Sequence, residues 1–341
     1  VIFPSSTEAH AYQCQTDYHR EGTEMTMKVY LTSLLNTNSE ILQMAYHLAS
    51  ISHGIKIVNN PNHADIILYI DNGYHGLSHV KTYLKVLRNL SHQQLVVYSE
   101  TDWPLPWAPG AYPSLSNYVK EQDPFFSWCY LSASHRNLHT RTLPDIKPRY
   151  LFSFLGRQST HKIRWKISRL HSQSTPCLDI NDARNYFKDY SYDSTYYNLI
   201  QNSKFVLCPR GFGRGSIRIF EAMALGRVPV IISNGWKEPP DIDFSSCSIR
   251  VQEKDIGRIP QILAAYEDNA ECLGQKAREL FEHYFLPEIF LERLIQQVLK
   301  QSETICFESI LKRSLIRYGL NPWHVKTWLS DHILYNDSND W

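Results

Sequence analysis

The sequence predicts an α/β protein built from two Rossmann-like halves, on three observations. Short apolar runs rich in β-formers alternate with helical periodicity along most of the chain. A strand, a loop of glycines and arginines and a helix follow one another between residues 204 and 225. The 341 residues, 43% of them hydrophobic, are enough for two cores with a cleft between them.

In the first half, residues 1–26 are polar without a sustained period and read as an extended arm. Residues 27–31 form a first strand, Ser39 caps a helix to about residue 50, and strands follow at 55–58 and 64–70. Val80, Leu84 and Leu87 mark a helix over 77–90, and residues 94–99 are a further strand.

Two of these strands run into acids, Asp71-Asn-Gly73 and Glu100-Thr-Asp102. Ligands of open parallel sheets bind beyond the carboxyl ends of strands. Glu100, Asp102 and Asp71 are therefore candidates for a general base that deprotonates a hydroxyl, with Asp71 behind the other two. For each, the alternative is an ordinary Asx-turn or helix-capping acid.

The proline- and aromatic-rich stretch 103–113, continued by Phe125-Phe-Ser-Trp128, can stack on sugar faces or serve as a rigid packed connection. Residues 135–148 have the polarity of an interdomain linker. His135 and His139 stand four apart but lack the glutamate of a metal-binding motif, so no metal is expected there.

The second half opens with a strand at 150–155, turns at Gly156 and exposes Arg157 before a helix over 159–170. Arg164 in that helix reads as a solvated surface cation or as a ligand contact, and is left out of the site. A strand at 176–180, a tyrosine-rich excursion over 181–194 and a helix at 196–201 come next. Residues 204–208 are a buried strand closed by Pro209. Strand 247–251 and helices at 256–266, 272–284, 287–301, 304–320 and 323–334 complete the chain.

Between strand and helix, Pro209-Arg-Gly-Phe-Gly-Arg-Gly215 lets backbone N–H groups approach a ligand closely, with cations beside them. Ser216 is the expected N-cap, and Gly226 the residue just past the helix end. Arg214, Arg218 and Glu221 fall near one helical face, and Arg218 in the first turn is opposed by the helix dipole. Such a cation has an anion to meet. A diphosphate at the helix N-terminus, with Glu221 accepting from ribose hydroxyls, describes a bound nucleotide. The alternative is a tight glycine turn and a surface Arg218–Glu221 pair.

Phe205-Val-Leu-Cys-Pro-Arg-Gly211, Ser216-Ile-Arg218, Glu221-Ala222, Val228-Pro-Val230 and Ser233-Asn-Gly-Trp236 resemble, in order and spacing, the signature of the exostosin-type glycosyltransferases. Tyr150-Leu-Phe-Ser-Phe-Leu-Gly-Arg157 with His161 and Arg164 is a weaker match, and together they cover roughly residues 150–300. The resemblance implies a GT-B fold, with two Rossmann-like domains facing across a cleft and C-terminal helices returning to the first. The units expected are residues 1–147 on the acceptor side, 148–302 for the nucleotide sugar, and 303–341 as the returning helices. It also implies inverting transfer from a UDP-type sugar to a hydroxyl of a glycan or small molecule. With no DxD-like motif read before a suitable strand in either half, this transfer is expected to need no metal. Arg157, Arg210, Gly211, Arg214, Ser216, Arg218 and Glu221 would bind the nucleotide. No cofactor is expected, the sugar nucleotide being a substrate.

Composition narrows the other classes. Thirty-five Lys and Arg against 34 Asp and Glu produce no field suited to nucleic acid. Seven cysteines lack metal-ligand spacing and read as reduced, buried thiols. No apolar run is long enough to span a bilayer. A bacterial-type cytoplasmic enzyme is expected, a trimmed luminal Golgi domain being the alternative, and a homo- or hetero-oligomer is compatible with either. Two other functions compete: a non-catalytic sugar-nucleotide-binding or scaffold subunit, and a sugar-nucleotide epimerase.

Overall fold

The computed structural model describes residues 26–33, 39–71, 94–100, 102, 110–119, 125–136, 138–140, 147–183 and 192–302. The expected arm, the helix over 77–90, the aromatic residues 103–109 and the helices beyond 303 lie outside the described residues.

Strands β1 (Met27–Thr32), β2 (Ile55–Ile57), β3 (Ile66–Asp71), β4 (Gln94–Ser99), β5 (Gly110–Ala111) and β6 (Phe125–Phe126) form one sheet in the order β2-β1-β3-β4-β5-β6. Every neighbouring pair is parallel. All six residues of β3 are buried, as a strand covered on both faces requires. Helix α1 (Glu40–Ile51) covers this sheet through Ile41, Leu42, Ala45, Leu48 and Ala49, a single apolar stripe at helical spacing.

Strands β5 and β6 arise where the sequence reads as loop. Gly110 makes β5 possible: its φ is 151°, and a β-carbon there would overlap the carbonyl of Val97 on β4. Only glycine allows that approach. Just before the expected linker, helix α2 (Leu131–His135) buries Leu131, Ala133 and Ser134.

The second sheet consists of β7 (Tyr150–Leu155), β8 (Cys177–Leu178), β9 (Ser203–Pro209), β10 (Val228–Ile232) and β11 (Ile249–Arg250), in the order β11-β10-β9-β7-β8 and again all parallel. Its helices are α3 (Lys162–Ser168), α4 (Tyr192–Gln201), α5 (Ile217–Ala224), α6 (Ile259–Ala264), α7 (Ala270–Tyr284) and α8 (Phe290–Ser302). Helix α5 stops at Gly226, with φ 64°. There Gly226 N–H reaches Met223 O and Arg227 N–H reaches Ala222 O, the paired bonds of a Schellman stop. Helix α6 is shorter than expected because Pro260 fixes its first turn after a 3₁₀ segment over Glu253–Arg258.

Both sheets place their first strand between the second and third, so each is doubly wound with a switch point beside its first strand. Two parallel α/β units of this kind make up the GT-B architecture. They are joined by more than a linker. Trp236 Nε1 donates to Pro113 O (2.8 Å), Asn117 N–H to Gly235 O (2.9 Å) and Lys237 N–H to Leu115 O (2.9 Å). Helix α8 returns to the first half, where Glu292 accepts from Ser52 Oγ (2.5 Å) and Gly54 N–H (2.6 Å).

One apolar cluster runs through both halves. At its centre Phe220, fully buried on α5, meets Tyr130, Trp236, Phe244 and Phe285 edge-on, with ring centroids 5.3–6.4 Å apart. Phe220→Ala is expected to lower stability by about 3–5 kcal/mol, read as a lower urea midpoint, because it empties a site lined from both halves.

Candidate functional site

The carboxyl ends of β7 and β9 diverge at the switch point of the second sheet, β7 leading toward β8 and β9 toward β10. Gly156 and Arg157 follow β7, and Arg210 and Gly211 follow β9. A crevice at this position receives the ligand in doubly wound sheets.

One guanidinium ties the two ends together. Arg164, on α3, donates from Nε to Arg210 O (2.9 Å), from Nη2 to Pro209 O (3.3 Å) and from Nη1 to Arg157 O (3.0 Å). It is buried, and burial together with Arg218 pushes its pKa down to about 9. The surface role read for Arg164 from sequence is therefore corrected. Its place three residues before the buried Ile167 was the available signal.

Arg210, Arg214 and Arg218 are 2%, 8% and 7% exposed. Arg210 Nη2 reaches Phe212 O (3.4 Å), and Arg218 Nη2 donates to Leu155 O (2.9 Å) with its guanidinium 5.0 Å from the Phe154 ring centre. Arg214 packs on Gly235, where a β-carbon would stand 2.9 Å from its Nη1. Arg157 is exposed at the rim. Gly211 lies so close to Arg164 that a β-carbon would stand 3.1 Å from its Nη2.

Ser216 occupies the N-cap position of α5 in extended conformation, yet its hydroxyl caps no N–H; the buried Oγ has no hydrogen-bond partner. That oxygen and the first N–H groups of α5 stand at the positive end of the helix.

His161 completes the group. Its Nδ1 accepts from Ile163 N–H (3.4 Å), which leaves the proton of the neutral ring on Nε2. Burial, then Arg210, Lys162, Arg164 and Arg214, push its pKa down to about 3. Several buried cations with few carboxylates among them cost desolvation that an arriving anion offsets.

The three candidate acids have different surroundings. Glu100 accepts from Tyr98 OH (2.7 Å), Ser132 N–H (3.1 Å) and Ser132 Oγ (3.2 Å), and so caps the start of α2. Asp71 is buried and accepts from Tyr69 OH (3.3 Å). Asp102 is exposed as a residue, but its carboxyl tip is wedged between the halves, with Oδ1 3.5 Å from Ser114 Oγ. A β-carbon at Gly213 would overlap that oxygen. Desolvation of the tip raises its pKa, and Ser114, Arg164, the Gly213 N–H and Arg210 oppose the rise.

Glu221 is 1% exposed. Its Oε1 accepts from Arg136 Nη1 and its Oε2 from Tyr196 OH, each at 2.5 Å, and Arg136 also reaches Tyr197 OH (3.0 Å). Arg136 comes from the first half, so Glu221 also holds the halves together. Each carboxylate oxygen keeps a second lone pair for another donor. His135 packs edge-on against His47 (5.1 Å), and the side chain of His139 lies outside the described residues.

Two doubly wound sheets with a cationic glycine loop at the switch point of the second define a GT-B-type transferase frame. Residues 110–266 match the family model described as the Exostosin GT47 domain. It is 34% identical over 155 residues to an Exostosin-1 homolog of Caenorhabditis elegans, covering 40% of this chain and 41% of that one. To Exostosin-1 of Drosophila melanogaster it is 31% identical over 156 residues, 40% of this chain and 20% of that one. The match thus spans about two-fifths of the length of the first relative and one-fifth of the second. A glycosyltransferase from Rickettsia africae superposes with a TM-score of 0.45 at 12% identity, covering 83% of this chain and all of that one.

The His161 ring is held neutral below its ordinary pKa, so it disfavours the folded state once the unfolded ring protonates. Stability should fall as pH drops from about 6.5 toward 3. His161→Asn should flatten that part of the slope, measured by urea denaturation at stepped pH.

Proposed function

We propose that this chain transfers a sugar from a nucleoside diphosphate sugar, UDP-linked in the first instance, to a hydroxyl of a glycan or small-molecule acceptor, with inversion and without a metal. The observation that carries the reading is the set of buried arginines at the switch point of the second sheet, together with the unpartnered Ser216 hydroxyl at the start of α5.

Arg210, Arg214 and Arg218, with Arg157 at the rim, would hold the diphosphate. As the bond from the anomeric carbon to the diphosphate oxygen breaks, negative charge grows where these cations already stand. Stabilisation of this kind contributes several kcal/mol to a barrier. Fixed guanidinium groups and a helix N-terminus supply the charge that a divalent cation supplies in other sites, which is the basis for metal independence.

Asp102 is the acid best placed to be the base. It stands against the glycine loop, and desolvation moves its pKa toward the working range. It takes the acceptor's proton as the hydroxyl oxygen attacks the anomeric carbon from the face opposite the leaving group. One displacement inverts that carbon. Glu100, committed to three donors, and Asp71, buried at the end of β3, are left to structural roles. Glu221 would offer its remaining lone pairs to the ribose, with Arg136 holding the carboxylate in place.

The whole relatives' activities are a guide only, because the chain matches part of each. Animal relatives favour a luminal setting, whereas the buried free thiols Cys129, Cys177, Cys208 and Cys247 suit a cytoplasmic one equally well.

Calorimetric titration with UDP and with GDP, with and without EDTA, tests the reading. Micromolar UDP binding unaffected by EDTA is expected, weakened at least about tenfold in Arg218→Ala, the loss of one charge-assisted hydrogen bond. Absence of nucleotide binding by the unaltered protein would sink the proposal. Once an acceptor is found, Asp102→Asn should keep UDP affinity and lose about 10²–10⁴-fold in kcat.

A further inference from the structure

The Asp102 carboxylate is the end of a hydrogen-bond chain that starts in the core of the first half. Tyr130, almost buried, places its hydroxyl 2.9 Å from Ser114 Oγ, and Ser114 Oγ lies 3.5 Å from Asp102 Oδ1. Counting protons orients the chain. An ionised carboxylate only accepts, and each hydroxyl has one proton to give. Both contacts are satisfied together only if Tyr130 donates to Ser114 and Ser114 donates to Asp102.

Burial keeps the Tyr130 phenol protonated well beyond its ordinary range, so the first donor of the chain is permanent. Little solvent competes for these bonds, since Ser114 is 1% and Tyr130 8% exposed.

The second half closes on this chain with two glycines. A β-carbon on Gly213 would stand 2.5 Å from Ser114 Oγ and closer still to Asp102 Oδ1, and one on Gly215 would stand 2.9 Å from Tyr130 OH. The loop assigned to the diphosphate therefore touches all three members of the chain.

We propose that Ser114 and Tyr130 are positioning residues that hold Asp102 ionised and aimed across the interface at the diphosphate loop. This rests on the reading of Asp102 as the base. The relay uses donors from the first half and steric closure from the second, so the base is in place only when the halves are docked at Gly213 and Gly215. Neither hydroxyl needs to touch substrate.

A hydrogen bond to the charged form lowers an acid's pKa, so removing it raises that pKa. The test is the carboxyl titration of Asp102, followed by NMR in protein labelled with carboxyl-¹³C aspartate, its resonance assigned by its absence in Asp102→Asn. Ser114→Ala should move the midpoint up by about half to one pH unit, and Tyr130→Phe should move it the same way by less. Tyr130→Phe keeps the volume of the ring, so the shift can be read even if Ser114→Ala disturbs the interface. Midpoints equal to that of the unaltered protein in both variants would overturn the relay. Turnover of a UDP-sugar separates the two levels. Loss of turnover in Asp102→Asn with unshifted titrations overturns the relay alone, whereas full turnover in Asp102→Asn overturns the base assignment and the relay with it.

Discussion

The Arg164 guanidinium, bonded to the carbonyls of Arg157, Pro209 and Arg210, holds apart and in register the two strand ends on which the site is built. A planar fork with five donors suits this task, since it can satisfy carbonyls of two diverging segments at once. An ammonium on a flexible stem would leave buried carbonyls unpaired. The arrangement also loads the crevice with charge, because Arg164 itself is buried beside Arg218. The brace and the proposed anion site are thus one construction: the cation that organises the loops adds to the field that a diphosphate would meet.

That field leaves its mark on its neighbours. His161, surrounded by Arg210, Arg164 and Arg214, is neutral and presents an N–H donor. Asp102 experiences the same cations as partial compensation for lost water. The opposite shifts of the two groups share one leading cause, loss of water, which disfavours the charged form of each; the cations add to the His161 shift and oppose that of Asp102.

The two halves meet through polar contacts at their strand ends and through aromatic packing behind them. Phe220 lies on the same helix as Arg218 and Glu221, so the residue that anchors the shared core also places Arg218 and the carboxylate that reaches Arg136. Glu221 is consequently a residue with two allegiances. Its acceptor capacity toward a ribose is set by how much of it Arg136 and Tyr196 already occupy.

The α/β class, most strands of each half, the glycine loop and its arginines were legible in the sequence, because periodicity and turn chemistry act over a few residues. So were the Gly226 stop and the burial of residues 205–208, though Lys204 at the head of that strand stays half-buried. The strands at Gly110–Ala111 and Phe125–Phe126 were not, since a two-residue strand has no period and depends on the Val97 backbone it lies against. Nor could local pattern rank three acids at strand ends. Tertiary structure spends Glu100 on the start of α2, buries Asp71 and brings Asp102 to Gly213. Likewise it pairs Glu221 with an arginine 85 residues away, where sequence spacing offered Arg218. The sequence by itself determined which residues carry charge and which segments become strands and helices. Only the tertiary structure decided which charges face one another, because partner choice depends on segments distant in the chain being packed together without water.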